Sequence, residues 1–520
     1  MRPAGAELGG GLARRARRVK DCRPTAEFSL AEQPPLGYTF LVWSSRGPRF
    51  GVGGRTMSFN LLDAKWIPVL WTDGTPDRVD ILTAVTEAAN IREIAASSPL
   101  DTVSLYRFLL AVRAWCADAN GYPRCDYLQE HKDRFELLGE HDGFYQEYQE
   151  DTPRPATDLL PELPTASNVA HFRHTRDRRE GLCPACCALG LVRLSAFATH
   201  SAHPPYPGGK PSGINGRTPV YAIPWGATLE QTLRMNGATR GIGDRPGWVN
   251  DEPPQAHEIG PLAALTWRPR RVWLERPKRD QPAERCAYCG GAERLIHSIA
   301  FLPGWPRPFA KESWSDDPHL LLGVVLPGPS DKGDQHSRIW RKIYRALLEA
   351  FLADAPTSQQ KHLVRCVQAG GQEGAVTVPC FGPAANQALY QDGTTIRWRV
   401  PRGGMNRNRA RRALDEMEWV ERINTRAIVA KAVPRHAMKR PEIKSAVVQT
   451  VVHAEPNLRI RFEQFVEDLA RNEADSSQWR CDGKAILWEL VREVLRVVGG
   501  ASPFRKGEQE GRAWAILKGK

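Results

Sequence analysis

The chain has 520 residues, enough for two to four domains with sizeable cores. Its 41% hydrophobic and 25% charged residues fit an ordinary globular protein, and no apolar run approaches the roughly 20 residues of a membrane-spanning helix. A net charge of +13 favours a nucleic acid or another polyanion as partner.

Residues 1–56 carry ten Lys/Arg against four Asp/Glu, about half of the net charge, and lack periodicity beyond a short apolar patch from Tyr38 to Trp43. Arg14-Arg15-Ala16-Arg17-Arg18 looks like the start of a signal peptide, but no adequate apolar region follows. Met57 opens a run, Ser58-Phe59-Asn60-Leu61-Leu62, that reads as a natural N-terminus. We therefore read residues 1–56 as an over-extended, disordered start, with a nucleic-acid-gripping arm as the alternative.

Order begins at Phe59. Trp66-Ile67-Pro68-Val69-Leu70 reads as a strand, Asp73-Gly74 as its turn and Val79-Asp80-Ile81 as the return. Helices are expected from Ile81 to Ala95 and from Val103 to Cys116, the latter with Leu105, Phe108, Leu109 and Val112 on one face. Between about 180 and 400, short strand-like runs alternate with Gly- and Pro-rich loops. They are Val220 to Ile223, Leu265-Thr266-Trp267, Arg271 to Leu274, Leu320 to Leu326 and Thr395 to Val400. This texture fits an irregular α+β domain.

From about Asn406 the pattern becomes helical. Leu414, Met417, Val420, Ile423 and Ala427 keep one stripe. Leu458, Phe462, Phe465, Val466 and Leu469 keep another, with Pro456 at its first helical position, and Ile486, Leu487, Leu490, Val491, Val494 and Leu495 a third, stopped by Gly499-Gly500. With a helix over Glu442–His453 these make a C-terminal four-helix bundle. The expected division is 1–56 as an extension, 57–404 as an α+β domain and 405–520 as the bundle.

The clearest chemical motif is a pair of C-x-x-C knuckles, Cys183-Pro184-Ala185-Cys186 and Cys286-Ala287-Tyr288-Cys289, the second followed by Gly290-Gly291. Four thiolates brought together make a closed, structural Zn site. The pairs lie about a hundred residues apart, far from the ~15–20 of a compact ribbon. Among eleven cysteines, two such pairs favour a reducing, cytoplasmic setting and a bound metal over disulfides.

If that site forms, it staples the ends of an insertion holding the loop Gly208-Gly209-Lys210-Pro211-Ser212-Gly213-Ile214-Asn215-Gly216-Arg217-Thr218-Pro219. Glycines let a backbone approach a partner closely, and Lys210 and Arg217 add positive charge. The loop reads either as a surface connector or as a contact for an anionic, shape-read partner. His200 and His203 form H-x-x-H just before it, with no carboxylate or further His at the spacing a metalloenzyme needs. A second polar loop, Phe381 to Ala388, contains Asn386-Gln387. Arg397-Trp398-Arg399 follows it, and Arg407, Arg409, Arg411 and Arg412 open the bundle as either a solvated face or a phosphate contact. There is no Walker A, GxSxG or HExxH motif and no acidic cluster for catalytic Mg²⁺.

Several landmarks resemble the large subunit of the type I-E CRISPR surveillance complex, Cascade, a family called CasA. They are Phe59-Asn60-Leu61-Leu62 through Trp66-Ile67-Pro68-Val69, Gly213-Ile214-Asn215-Gly216-Arg217-Thr218-Pro219-Val220, the knuckle pairs, Gly304-Trp305-Pro306, Asn386-Gln387-Ala388 and the closing helices. The resemblance runs in order from about Met57 to the last helix and leaves residues 1–56 without a counterpart.

It implies a non-catalytic reader of double-stranded DNA that recognises the PAM from the minor groove and starts strand separation. The family's glycine loop falls on Gly213 and Gly216. Its glutamine wedge falls on Gln387, with Asn386 and Ala388 beside it. Offset from Gly304-Trp305-Pro306 places Arg294 near the family's lysine finger. The resemblance also implies the other Cascade subunits, a guide RNA and a recruited helicase–nuclease as partners. A minor groove about 6 Å wide admits a Gly-x-x-Gly backbone where a helix would not fit. The rival readings are a stand-alone zinc-containing nucleic-acid enzyme or nuclease using His200 and His203, and a plain scaffold whose loops read nothing.

Overall fold

The computed structural model describes residues 58–139, 143–148, 153–160, 181–198, 219–237, 241, 243–250, 252–278, 280–306, 317–324, 326, 338–373, 376–386, 389–400, 404–422 and 439–498. Asp73-Gly74 reverses the chain between strands β1 (Ile67–Trp71) and β2 (Pro76–Val79), which pair antiparallel, and Gly74 takes a φ of +88° in that turn. Asp80, expected inside the return strand, instead accepts a hydrogen bond from Thr83 N and caps helix α1 (Ile81–Thr86).

The helix expected to reach Ala95 stops there. Strand β3 (Ile91–Ile94) follows and pairs with β1, giving the sheet order β2-β1-β3. Ile91 and Ile94 are spaced for either element, and the open edge of β1 decides between them. Helix α2 (Pro99–Cys116) is buried almost all round, with Ser98 as its cap and Pro99 in its first turn. The expected face of Leu105, Phe108, Leu109 and Val112 sits at the centre of the first core.

Helix α3 (Cys125–Glu130) and strand β4 (Arg154–Pro155) precede α4 (Pro184–Ala196), a fully buried helix packed on α2. Strand β5 (Tyr221–Ala222) and helices α5 (Leu229–Met235) and α6 (Pro261–Leu265) follow. The strand expected at Leu265-Thr266-Trp267 is absent: Leu265 closes α6 and Trp267 packs edge-on against Trp305. The strand starts later, as β6 (Arg270–Leu274).

Strands β7 (Glu284–Arg285) and β8 (Ala292–Glu293) make a small hairpin. Strand β9 (Ser298–Pro303) then pairs with β6 and β4. At its end Gly304 meets the β6 approach so closely that an added Cβ would lie 2.3 Å from Arg268 O. This is the physical content of the Gly304-Trp305-Pro306 landmark. Of the strand expected over Leu320 to Leu326, Leu320 makes an isolated bridge to Tyr221.

Helices α7 (Ile339–Ala350) and α8 (Ser358–Glu373) lead into a long antiparallel hairpin, β10 (Val376–Asn386) and β11 (Leu389–Val400), with β5 added on the free edge of β10. Helices α9 (Arg407–Arg422), α10 (Pro441–Arg471) and α11 (Ser476–Val498) close the described chain and pack together, Trp479 of α11 meeting Trp419 and Phe465.

The helices expected over Glu442–His453 and from Pro456 are one element, α10, with Pro456 inside it. A proline there removes one N–H donor and clashes with the preceding turn, which favours a break. Two contacts hold the helix through it. Glu455 is buried between Arg338, Arg341 and Trp340 of the α7 region, and Leu458, Phe462, Phe465, Val466 and Leu469 are buried as one stripe. Ile423 and Ala427 lie outside the described residues.

Among the described residues two large apolar cores result, beside a small cluster of Ile259, Ala263, Ala264, Trp267 and Trp305. The first gathers the β2-β1-β3 sheet, α2 and α4; the second joins the β10–β11 hairpin to α7 through α11. β5 is shared: Tyr221 belongs to the first core, while Val220 and Ala222 belong to the second. The alternation of side chains along a strand thus lets β5 face both cores. Among the described residues, no helix is long and apolar enough to cross a membrane.

Candidate metal centre and nucleic-acid interface

The two C-x-x-C pairs meet. Cys183 caps α4 and Cys186 lies in its first turn, while Cys286 and Cys289 form the tip of the β7–β8 hairpin. The second knuckle closes through Cys286 N donating to Gly291 O (2.9 Å) and Gly290 N donating to Cys286 O (3.0 Å), with Gly290 at φ +73°. A left-handed residue is what the tight reversal requires, so glycine stands there.

All four sulfurs lie within 4.8 Å of one another, and Cys183 Sγ is 3.7 Å from Cys289 Sγ. Tetrahedral zinc with Zn–S bonds of about 2.3 Å needs sulfur separations of about 3.8 Å, so the donor set fits. Cys183, Cys186 and Cys286 are buried and Cys289 is half-buried. Hydrogen bonds from the Cys183 and Cys186 thiols lower Cys286 to about 7 and hold Cys289 lower still. Hydrogen bonding to Cys183, Cys286 and Cys289, and then burial, push Cys186 well up. Thiolates are the metal-binding form, so two of the four ligands are disposed to ionise first.

The surroundings brace this cluster in ways the motif alone does not reveal. Arg78 of β2 hydrogen-bonds Cys289 and sits in the field of Cys186 and Cys183. Tyr288, between the two knuckle cysteines, donates to Asp101 Oδ2 (2.6 Å), and Asp101 Oδ1 accepts from Arg193 Nε (2.8 Å). The knuckle is thereby tied to β2, α2 and α4 together. Charged residues in otherwise apolar helices, Asp101 in α2 and Arg193 in α4, are the sequence signal for this brace.

The expected DNA-contacting residues divide into two sets. Lys210, Gly213, Asn215, Gly216, Arg217, Gln387 and Ala388 lie outside the described residues, as do His200 and His203. Their flanks, however, are described. The Gly-rich loop ends at Pro219, two residues before β5, and Asn386 ends β10 in register with Leu389 of β11. β5 runs antiparallel to β10, with Tyr221 on Phe381 and Ala222 on Cys380. In an antiparallel pair the start of one strand lies beside the end of the other. The Gly-rich loop therefore enters β5 beside Phe381, in the middle of β10, and from there β10 runs five residues on to Asn386 in the direction from which β5 comes.

Arg294 is exposed just after β8, close in sequence to the metal-binding knuckle. Arg397 and Arg399 are exposed on β11, alternating with buried Ile396, Trp398 and Val400, and Arg397 lies over the Trp225 ring at 5.7 Å. In the basic run opening α9, Arg407 pairs with Asp354 (2.5 Å), Arg409 donates to Gly404 O (3.0 Å) and Arg412 to Ala474 O (3.4 Å). Arg411 is exposed.

Known proteins share this chain's sequence or fold. The family described as CRISPR-associated protein Cse1 (CRISPR_cse1) matches residues 60–494. A CRISPR-associated protein CasA/Cse1 from Thermus thermophilus is 33% identical over 204 residues, a stretch covering 35% of this chain and 40% of that protein. The crystal structure of Thermus thermophilus CasA superposes with a TM-score of 0.64 at 21% identity, covering 89% of this chain and 100% of that one. Cse1 from Acidimicrobium ferrooxidans gives 0.62 at 19% identity, covering 89% and 98%. A chain of a CRISPR RNA-guided surveillance complex gives 0.61 at 16% identity, covering 89% and 99%. With four-fifths of its length matched in one stretch, from the first ordered landmark to the last helix, the chain belongs to the CRISPR-associated Cse1 (CasA) family.

Proposed function

We propose that this chain is the non-catalytic large subunit of a type I-E Cascade-like complex, working in the cytoplasm with the other subunits and a guide RNA. It reads the PAM of double-stranded DNA from the minor groove through Gly213 and Gly216, with Lys210, Asn215 and Arg217 beside them. Gln387, flanked by Asn386 and Ala388, wedges into the duplex and starts strand separation, and Arg294 stands in for a lysine finger. Guide–target pairing then carries the sequence specificity. The bound metal is zinc in a structural role. The division of the chain at residue 405, the count of four bundle helices and the recruitment of a helicase–nuclease belong to the same proposal.

The observation that supports this reading best is the pairing of β5 with β10, which puts the strands that flank both expected reading segments side by side in one sheet. A wedge that unstacks a base step costs roughly a few kcal/mol and needs a rigid support and nearby groove contacts. In the assembled complex, Gln387→Ala and Gly213→Asp should each weaken binding to a matched duplex. Gln387→Ala should leave binding to a pre-opened bubble nearly unchanged. Equal loss on both substrates would count against wedging. Metal-dependent DNA cleavage by the isolated chain, abolished by His203→Ala, would instead favour the enzyme reading.

A further inference from the structure

Of the four knuckle sulfurs, Cys289 is the one left half-buried; Cys183, Cys186 and Cys286 are buried. The inner side of the cluster is closed. Cys183 N donates to Cys286 Sγ (3.3 Å), Ala287 N donates to Gly181 O (3.0 Å), and the Tyr288 hydroxyl reaches Asp101, whose charge is met by Arg193. Cys289 is therefore the corner of the site that water or a competing chelator reaches first.

Arg78 stands at that corner. Its guanidinium hydrogen-bonds Cys289 and lies in the field of Cys186 and Cys183, while the Gly291 N–H is a second donor to the same sulfur. The backbone of Arg78 has a fixed place. β2 is paired to β1 with Arg78 opposite Pro68 and Val79 opposite Ile67, and Val79 is buried in the first core. Side chains alternate along a strand, so the residue that anchors β2 and the one that meets the cluster face opposite ways. Glu293 of β8 is the carboxylate in the same field, near both Cys289 and Arg78.

Four thiolates around a divalent cation leave two excess negative charges on the centre. A cation hydrogen-bonded to one of those sulfurs offsets part of that charge and makes the bond a strong one. Such outer partners also fix the orientation of the ligand they touch.

We propose that Arg78 is a positioning residue for the metal: it holds the Cys289 thiolate in the ligand set and thereby sets how long zinc is retained. The inference rests on the zinc assignment made above.

The test uses the purified full chain, its zinc content checked by elemental analysis, and a colorimetric chelator in excess. Arg78→Met should speed zinc release at least about tenfold, and Arg78→Lys, which keeps the charge, should recover part of the loss. Glu293→Gln removes a competing negative charge and should not speed release. Val79→Ala loosens β2 without touching the cluster and should stay within about twofold of the wild type. With cobalt(II) in place of zinc, the sulfur-to-metal charge-transfer bands of Arg78→Met should move to lower energy, because a thiolate has lost its cation. Release from Arg78→Met at the wild-type rate overturns the inference, as do unshifted bands. Equal acceleration by Val79→Ala or Glu293→Gln also overturns it, since that would mark a general loosening of the fold. Should Arg78→Met fail to fold, Arg78→Gln decides by the same readings. If the wild type holds no zinc, the zinc assignment fails and this inference with it; if zinc is held and the Arg78 variants release it like the wild type, this inference alone fails.

Discussion

Arg107 of α2 donates through both Nη atoms to Asp317, at 2.8 and 2.7 Å, across 210 residues of sequence, and both side chains are buried. Each of them also reaches the β5 region. Arg107 stacks on Tyr221, and Asp317 Oδ1 accepts from His319 N (3.1 Å), next to the residues that pair with β5.

Breaking this pair from one side should be expensive. Removing one partner of a buried ion pair typically costs about 3–5 kcal/mol, because the other charge is left uncompensated. Arg107→Met and Asp317→Leu should each destabilise the fold by an amount of that order. The paired change Arg107→Met/Asp317→Leu should cost less than the two single effects together, as a double-mutant cycle in denaturant would show. Additive losses would mean the two side chains are not coupled.

The metal centre should be separable from the rest of the fold. Elemental analysis should find about one equivalent of zinc, and Cys183→Ser or Cys286→Ser should abolish it and open the 181–198 and 280–296 segments to protease. Cys187→Ser should keep the metal, because Cys187 lies outside the four-sulfur cluster and its burial pushes its thiol well up, away from the thiolate form. Retention of zinc by Cys286→Ser would remove that residue from the ligand set.

Much of this architecture is legible locally. The Asp73-Gly74 reversal, the buried stripe of α2, the alternation of Ile396, Trp398 and Val400, and the C-x-x-C spacing all follow from a few neighbouring residues. Where an element depends on a distant partner, the local signal fails. Ile91–Ile94 becomes a strand because β1 offers an edge, and Pro456 remains inside a helix because Glu455 is clamped from α7. The site was legible as chemistry but not as geometry. Nothing local to Tyr221 announces Phe381 as its partner, and nothing in Pro76–Val79 announces that Arg78 meets Cys289.

The Glu455 clamp carries its own expectation. Its carboxylate accepts from Arg341 Nε (2.9 Å) and Nη2 (2.7 Å), Arg338 Nε (3.2 Å) and Trp340 Nε1 (3.1 Å), and its side chain is fully buried. Glu455→Ala should destabilise the second core by about 3 kcal/mol or more, leaving Arg341 buried without its counter-charge. With the support beside Pro456 gone, amide exchange should rise around residues 452–458 before it rises at the ends of α10. Zinc content should not change, because the four-cysteine cluster lies in the first core.

The last expectation concerns pH. His319 and His362 pack ring against ring at 5.3 Å, where the first core meets α8. Burial, then the neighbouring His362 and Arg107, lowers His319 well below its ordinary value. Burial and Arg365 lower His362 to about 4, with Asp317 opposing. His362 also contacts Arg365 Nη2 through Nδ1 (3.1 Å) and Cys366 Sγ through Nε2 (3.4 Å). Cations therefore outnumber free carboxylates around the pair, since Asp317 is taken by Arg107. In the unfolded chain both rings take up protons near pH 6.5, whereas the folded protein keeps them neutral, so their contribution to stability is present above about pH 6.5 and is lost as pH falls below it. For His362 that loss continues to about pH 4 and amounts to about 3 kcal/mol. The unfolding midpoint of the wild type should therefore fall more steeply between pH 6.5 and 4 than that of His362→Gln, measured in parallel so that carboxylate titration cancels. Superimposable pH profiles would show that His362 does not titrate differently in the folded and unfolded states.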